Sequence, residues 1–145
     1  MTSRILTTPL EPWAALADFE RQRFAGSAAH GASAVFVGTM RDLNEGDEVH
    51  GMILEHYPGM TDGYLERLRE EAAKRWELLE TLVLHRVGEL NPGDPIVLVA
   101  VWSAHRTAAF DACRWIMEEL KSRAPFWKRE TLAQGSRWVE HNTPG

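Results

Sequence analysis

The last third of the chain carries the side chains best suited to chemistry on an anion. Lys121, Arg123, Lys128 and Arg129 lie in one segment that contains no acidic residue. The chain as a whole is acidic, with a formal net charge of −5, so these cations stand out. A local basic stretch in an acidic protein predicts a confined anion-binding site. A solvated basic face is the alternative that the charge pattern leaves open.

A second cationic segment, Ser103–Arg106, follows a strongly apolar predicted strand and precedes a predicted helix. The free backbone N–H groups at the start of a helix attract anions, and an imidazole and a guanidinium add further donors. The segment is therefore a candidate cradle for a phosphate or a carboxylate. His105 and Arg106 are equally compatible with ordinary polar residues at a strand end.

Two lysines are candidates for proton transfer or nucleophilic chemistry. Lys121 follows Leu120, a member of the apolar face of a predicted helix. A lysine whose stem lies in apolar packing can have a lowered pKa, although many such lysines extend their ammonium group into water. Lys128 and Glu130 share one face of the strand predicted after Pro125. They could hold polar substrate atoms together or form an ordinary surface ion pair.

The other reactive residue types give weaker signals. Cys113 lies on the packed face of a predicted helix and is expected to be an inert, buried thiol. His56 has no second metal-binding side chain at a suitable spacing, so we interpret it as structural, and the pair His85-Arg86 shows no visible chemistry. The sequence contains no zinc motif, P-loop, dinucleotide-binding fingerprint or nucleophile elbow. We therefore expect no metal site.

Length and composition are those of one globular domain. The chain has 145 residues, of which 44% are hydrophobic and 26% charged. Such a chain can bury a sizeable core, and nothing in its composition marks a linker, so we predict a single domain over residues 1–145. The first ten residues do not resemble a signal peptide, and no apolar run is long enough to span a membrane. We therefore predict an intracellular, cytoplasmic protein.

Hydrophobic periodicity predicts the elements that must position these side chains. Three helices are expected, over Glu11–Phe24, from a cap at Thr61 or Asp62 to about Leu79, and over Thr107–Ser122. Trp13 and Leu79 are assigned to the apolar faces of the first two. The predicted strands are Ala32–Val37, Glu48–Tyr57, Leu82–Leu90, Pro95–Ser103, Phe126–Leu132 and Arg137–His141. With one strand before the first helix, the order β-α-β-β-α-β-β-α-β-β predicts an α+β domain with mixed or antiparallel sheets.

Several short motifs occur in a fixed order from about Ala32 to Glu140. They are Phe36–Arg41, Leu54–Met60, His85–Leu90, Ser103–Arg106, Leu120–Glu130, and Gly135 with Trp138–Glu140. Each motif is short, but the ordered set is highly specific. The set resembles the large, catalytic subunit of molybdopterin synthase, the MoaE family.

The resemblance implies an α/β-hammerhead fold and a homodimeric core. Each catalytic subunit of that family binds a small ubiquitin-like sulfur carrier whose C-terminal Gly-Gly tail enters the active site as a thiocarboxylate, giving a heterotetramer. The implied reaction places two sulfurs on cyclic pyranopterin monophosphate, opens its cyclic phosphate and forms the dithiolene of molybdopterin. The resemblance implies no metal or other cofactor, because the carrier supplies the nucleophile.

The resemblance also implies roles for individual residues. Lys121 matches the essential lysine near the carrier's C-terminus, and Lys128 matches a second functional lysine. Both also belong to the implied substrate-binding set, which further contains Thr39, Met40, Arg41, His105, Arg106, Arg129 and Glu130. Phe36 and Met117 match residues of the pocket wall.

Three other interpretations remain open from the sequence. One is a catalytically inactive, carrier-binding scaffold of the same fold. Another is a relative that acts on a different phosphorylated heterocycle through the same cations. The third is a nucleic-acid module that stacks bases on Phe126 and Trp127, which the net charge of −5 argues against.

Overall fold

The computed structural model describes residues 1–44, 46–132 and 135–139. Three helices and nine strands lie within these ranges. The helices are α1 (Pro12–Phe24), α2 (Met60–Arg75) and α3 (Arg106–Arg123). The strands are β1 (Thr2–Leu6), β2 (Ala32–Thr39), β3 (Leu43–Asn44), β4 (Asp47–His56), β5 (Glu80–Arg86), β6 (Gly88–Leu90), β7 (Pro95–Ser103), β8 (Phe126–Leu132) and β9 (Gly135–Trp138).

The larger core surrounds a four-stranded sheet in the order β1-β5-β7-β2. Strand β7 is central in this sheet, and its run of Val, Leu and Ala is buried from Val97 onward, as expected for a strand covered on both faces. Val97, Val99 and Val101 pack with α2 and α3, whereas Leu98 and Trp102 pack with α1. The predicted range of this strand is confirmed.

Helix α3 lies on one face of this sheet because its apolar residues recur every three or four positions. Ala109, Cys113, Ile116 and Leu120 are all buried, as predicted. Burial of a side chain as large as Ile116 contributes roughly 1.5–3 kcal/mol to the free energy of unfolding. Since α3 follows β7 and packs back along it, its last turn lies near the start of that strand.

The second sheet has the order β3-β4-β8-β9, with β6 paired to β4. A smaller core under it contains Met40, Val49, Met52, Leu54, Val87 and Leu90. Strand β8 of this second sheet begins only three residues after α3 ends. The residue before a proline disfavours helical backbone, and Ala124 is extended ahead of Pro125. The chain therefore passes directly from the last turn of α3 into the second sheet.

The structure corrects some predicted boundaries. The predicted strand Leu82–Leu90 is two strands that pair in different sheets, because Gly88 has a φ of 98° and breaks the extended run. Helix α2 begins at Met60, and the Asp62 carboxylate accepts a hydrogen bond of 3.0 Å from the Gly59 N–H. The last strand is Gly135–Trp138, whereas Glu140 and His141 lie outside the described residues.

Two predicted core positions are wrong. Trp13 is 64% exposed, because it lies about 120° around α1 from the buried Phe19. Leu79 is 40% exposed, because α2 ends at Arg75 and no longer sets the direction of its side chain. The fold class is confirmed: an α+β domain with mixed and antiparallel sheets and three helices in the described residues.

Candidate active site

A pocket of about 240 Å³ lies where the last turn of α3 meets the two sheets. Apolar side chains form much of its wall, among them Ile96, Val97, Met117 and Leu120. The polar side chains that line it include those of Thr39, His85, Lys121 and Lys128. An apolar wall with a few convergent polar groups is the usual construction of a small-molecule site.

The two lysines reach this pocket from different elements. Lys121 is on the last turn of α3 and its side chain is exposed, whereas Lys128 is on β8 and is half-buried. The connection between the two elements is held by the buried Thr61 hydroxyl, which donates a hydrogen bond of 3.0 Å to the Pro125 carbonyl. That hydroxyl also accepts a 3.0 Å hydrogen bond from the Tyr57 N–H. These bonds keep the two ammonium groups on the same pocket.

The enclosed position of Lys128 changes its acidity. Burial, reinforced by the positive charge of Lys121 and opposed by Glu130, lowers the pKa of Lys128 to about 8. At pH 7 such an amine is neutral in roughly one molecule in ten, compared with far fewer for an ordinary lysine. Lys128 can therefore both attract an anion and exchange a proton near neutral pH.

Wall residues are packed closely on the β2 side of the pocket. Gly38 lines the pocket, and a Cβ atom there would come within 2.8 Å of the Val97 side chain. Any larger residue would therefore push the strand away from β7. The absence of a side chain lets the backbone of β2 approach and brings the adjacent Thr39 to the pocket.

The chain matches the protein-family model described as MoaE protein over residues 8–123. It belongs to the MoaE family. The catalytic subunit of molybdopterin synthase from Pseudomonas aeruginosa is 59% identical over 110 residues, which cover 76% of this chain and 73% of that protein. The Escherichia coli catalytic subunit is 54% identical over the same shares of the two chains. The family and enzyme class predicted from the motifs, a sulfurtransferase, are thus confirmed.

Solved structures of the MoaE family have the same fold. The protein from Burkholderia ambifaria is 43% identical and superimposes with a TM-score of 0.80, over 99% of this chain and 92% of its own. Molybdopterin synthase from Staphylococcus aureus is 30% identical, with a TM-score of 0.82 over 94% and 96%. A more distant structure, the complex of subunits 1 and 2 of molybdopterin-converting factor from Helicobacter pylori, is 20% identical with a TM-score of 0.79, over 95% and 90%.

Four of the sequence-predicted site residues of this MoaE-family chain meet at the pocket: Thr39, Met117, Lys121 and Lys128. Other predicted residues lie nearby without lining it. Met40 is buried in the smaller core, Arg41 is exposed beyond β2, and the ring of Phe36 is 38% exposed beside Gly38.

Arg129 and Glu130 are held by other side chains. Arg129 lies with its guanidinium over the Trp138 ring, 5.7 Å from the ring centre. The buried Glu130 carboxylate accepts a 3.1 Å hydrogen bond from the Arg137 Nε. This ion pair joins β8 to β9, and the charge of Glu130 also acts on Lys128. Glu140 of the last motif lies beyond the described residues.

His105 and Arg106 are separated from the lysines by the length of α3. Both are exposed at the N-terminal end of this helix, next to the end of β7. The sixteen positions from His105 to Lys121 span about 24 Å along a helix axis. One chain therefore does not gather both cationic segments around one small molecule.

Sequence reasoning missed His85. Its ring lines the pocket, is stacked on Phe126 with ring centres 4.0 Å apart, and has Nδ1 2.9 Å from the Arg86 carbonyl oxygen. Burial, opposed by the bond to Arg86 and reinforced by the charges of Lys128 and Lys121, lowers its pKa to about 4. The only signal in the sequence was its spacing: His85 lies two residues after the apolar Val83, and residues two apart on a strand point to the same face.

The remaining expectations concern a thiol, metals and membranes. Cys113 is buried against the Val99 carbonyl, and burial raises its pKa to about 11, so the predicted burial of this thiol is confirmed. In the described parts of the chain, no three His, Cys, Asp or Glu residues are grouped so as to hold a metal ion. None of the helices in those parts is both long and apolar enough to cross a bilayer.

Proposed function

We propose that residues 1–145 act as one catalytic domain that transfers two sulfurs from the C-terminal thiocarboxylate of a small carrier protein to cyclic pyranopterin monophosphate. The reaction opens the cyclic phosphate and forms the molybdopterin dithiolene. The observation that carries this proposal is the convergence of Lys121 and Lys128 on one apolar-walled pocket. Family membership supplies the reaction class, and the pocket supplies the chemistry that it needs.

The two lysines suit a reaction between two anions. The thiocarboxylate and the cyclic phosphate are both negative, and their repulsion opposes their encounter unless cations are placed between them. The exposed Lys121 neutralises the incoming carrier tail at the pocket mouth. Lys128, with its pKa of about 8, stabilises charge on the substrate and exchanges protons as each sulfur attacks.

The partner that we propose is a small ubiquitin-like sulfur carrier with a C-terminal Gly-Gly thiocarboxylate. The similar Helicobacter pylori structure is a complex of two subunits of molybdopterin-converting factor, which supports a partner of this kind. An extended two-glycine tail is narrow enough to enter a pocket that a folded domain cannot. We further propose that the reaction takes place in the cytoplasm.

We also propose that two copies of this chain form the core of a heterotetramer. His105 and Arg106 lie about 24 Å along α3 from Lys121, so they can hold the same substrate only if a second copy supplies them. Both are exposed, as is the ring of Phe110 one turn further along α3. The substrate-binding roles of these two residues therefore require the dimer, and we propose that Arg41 and Arg129 also contact the substrate.

Reconstitution tests the proposed function. The purified protein is mixed with a thiocarboxylated carrier and cyclic pyranopterin monophosphate, and molybdopterin is measured. We expect product with the unmodified chain and a loss of about a thousandfold with Lys121→Ala. Lys74→Ala, which removes an exposed lysine of α2, is the matched control and should keep full activity.

The other outcomes of this assay separate the alternatives. A stable complex with the carrier but no product from the unmodified chain would favour the catalytically inactive scaffold. Equal activity of Lys121→Ala and Lys74→Ala would remove the central role of Lys121. Neither complex nor product would overturn the proposed function.

A further inference from the structure

His85 is a buried polar side chain of the pocket that the proposed chemistry does not use. It lies on β5, on the same face as Val83, and its ring is 8% exposed. Phe126 of β8 covers one face of the ring, with the two planes only 19° from parallel. The stacking fixes the plane of the imidazole at the point where the two sheets meet.

The hydrogen bonding of the ring determines which nitrogen carries the proton. Nδ1 is 2.9 Å from the Arg86 carbonyl oxygen, which can only accept, so Nδ1 is the donor. The charged or titratable groups that act on the ring are Lys128 from β8, Lys121 from α3 and His56 from β4, and none of them is an acid. The imidazole is therefore neutral at physiological pH, and Nε2 keeps a free lone pair.

Lys128 lines the same pocket as His85 and Phe126. Phe126 and Lys128 are two residues apart on one strand, so they project from the same face with Cα atoms about 7 Å apart. Phe126 is stacked on His85, and the charge of Lys128 is near enough to the ring to lower the pKa of His85. An ammonium group in an apolar-walled pocket requires acceptors, and a neutral imidazole is one.

We propose that His85 is a positioning residue that acts through Lys128, accepting a hydrogen bond from its ammonium group at Nε2 and thereby fixing the direction of that cation in the pocket. The importance of this for catalysis rests on the proposed function, whereas the contact itself does not. His85 adds no charge of its own. It favours the protonated lysine without repelling the anions that the pocket receives.

The test measures the pKa of Lys128 directly, by NMR titration of protein labelled at the lysine side chains, with the signal assigned from Lys128→Arg. His85→Phe keeps the stacking on Phe126 but removes the acceptor, and it should lower the pKa of Lys128 by about one unit, a tenfold loss of proton affinity. His85→Gln retains an acceptor near the position of Nε2 and should leave that pKa close to that of the unmodified chain. His50→Gln, at an exposed histidine of β4, is the control for histidine replacement.

A second substitution guards against a variant that does not fold. His85→Asn keeps a donor for the Arg86 carbonyl but lacks an acceptor at Nε2, so it should lower the pKa of Lys128 as His85→Phe does. An unchanged pKa in either folded variant would show that His85 only packs, and would overturn the proposal. A lowered pKa in His85→Gln equal to that in His85→Phe would overturn it as well.

Activity distinguishes this proposal from the proposed function. In the reconstituted reaction, His85→Phe should lower kcat about tenfold with little change in KM, and His85→Gln should restore most of it. If the pKa of Lys128 moves as expected but even the unmodified chain makes no product, the proposed function fails and the contact stands. If the unmodified chain is active and the pKa does not move, the contact fails and the proposed function stands.

Discussion

The two ends of α3 both carry cations, but only one end forms a pocket. At the C-terminal end, Lys121 faces β8, β5 and the start of β7, and the neighbouring Lys128 is half-buried with a pKa of about 8. At the N-terminal end, His105 and Arg106 are exposed to solvent. The two groups of basic side chains thus differ in environment, because one is enclosed by a second sheet and the other is not.

Burying a cation lowers the stability of the folded protein, whereas leaving it exposed does not. A half-buried ammonium beside another cation opposes folding, and this is the physical meaning of the lowered pKa of Lys128. Exposed cations such as Arg106 impose little cost and contribute little to stability. We infer that the C-terminal end of α3 sacrifices stability for function, whereas the role proposed for the N-terminal end requires a second copy of the chain.

Replacing the enclosed cation Lys128 should change both activity and stability. Lys128→Met retains the length of the side chain and removes its charge, so we expect sulfur transfer to fall at least about a hundredfold. The free energy of unfolding should rise, because the cost of burying the ammonium group disappears. Since solvent screening already reduces that cost, the rise should be only about 1 kcal/mol. Reconstituted activity and urea denaturation measure the two quantities. A variant that is both less stable and fully active would contradict the contrast between the two ends.

The buried histidine at the enclosed end should make the fold sensitive to acid. The pKa of His85 is about 4 in the folded chain and about 6.5 when unfolded, so the unfolded state binds more protons between these values. Stability is therefore full above pH 6.5 and falls as the pH is lowered toward 4, by about 3 kcal/mol in all. Urea denaturation at pH 7 and pH 4.5 measures the loss, which should be smaller in His85→Phe. Equal losses in the two proteins would show that other groups cause the acid sensitivity.

The exposed end should show a smaller effect that depends on assembly. Arg106→Ala should raise KM for the pterin substrate roughly tenfold with little change in kcat, because a substrate-binding cation is lost. If the second copy supplies this residue, Arg106→Ala and Lys121→Ala chains can complement each other when they are mixed. Each mixed dimer then has one intact site, with Lys121 from the first variant and Arg106 from the second. Random mixing should then restore about one quarter of the activity at low substrate concentration. A mixture no better than the average of its two components would place both residues in one chain's site.

Local patterns predicted the elements well where one periodicity dominated. The strand Pro95–Ser103 was predicted at its observed bounds because a continuous run of Val, Leu and Ala suits a strand buried on both faces. Helix α3 was predicted to within one residue at each end. The run Leu82–Leu90 was misjudged, because the glycine that breaks it lies between two segments with equally good strand composition.

The sequence by itself determined the family, the fold class and the identity of the two pocket lysines, because ordered motifs and short-range periodicity are properties of the chain alone. It could not show which candidate residues share a pocket. Tertiary structure decided that Lys121, Lys128 and the overlooked His85 meet, that Glu130 pairs with Arg137, and that His105 lies far from them. The physical reason is that burial and charge coupling act through space. A pKa of about 8 or about 4 arises only when elements distant along the chain exclude water from the same group.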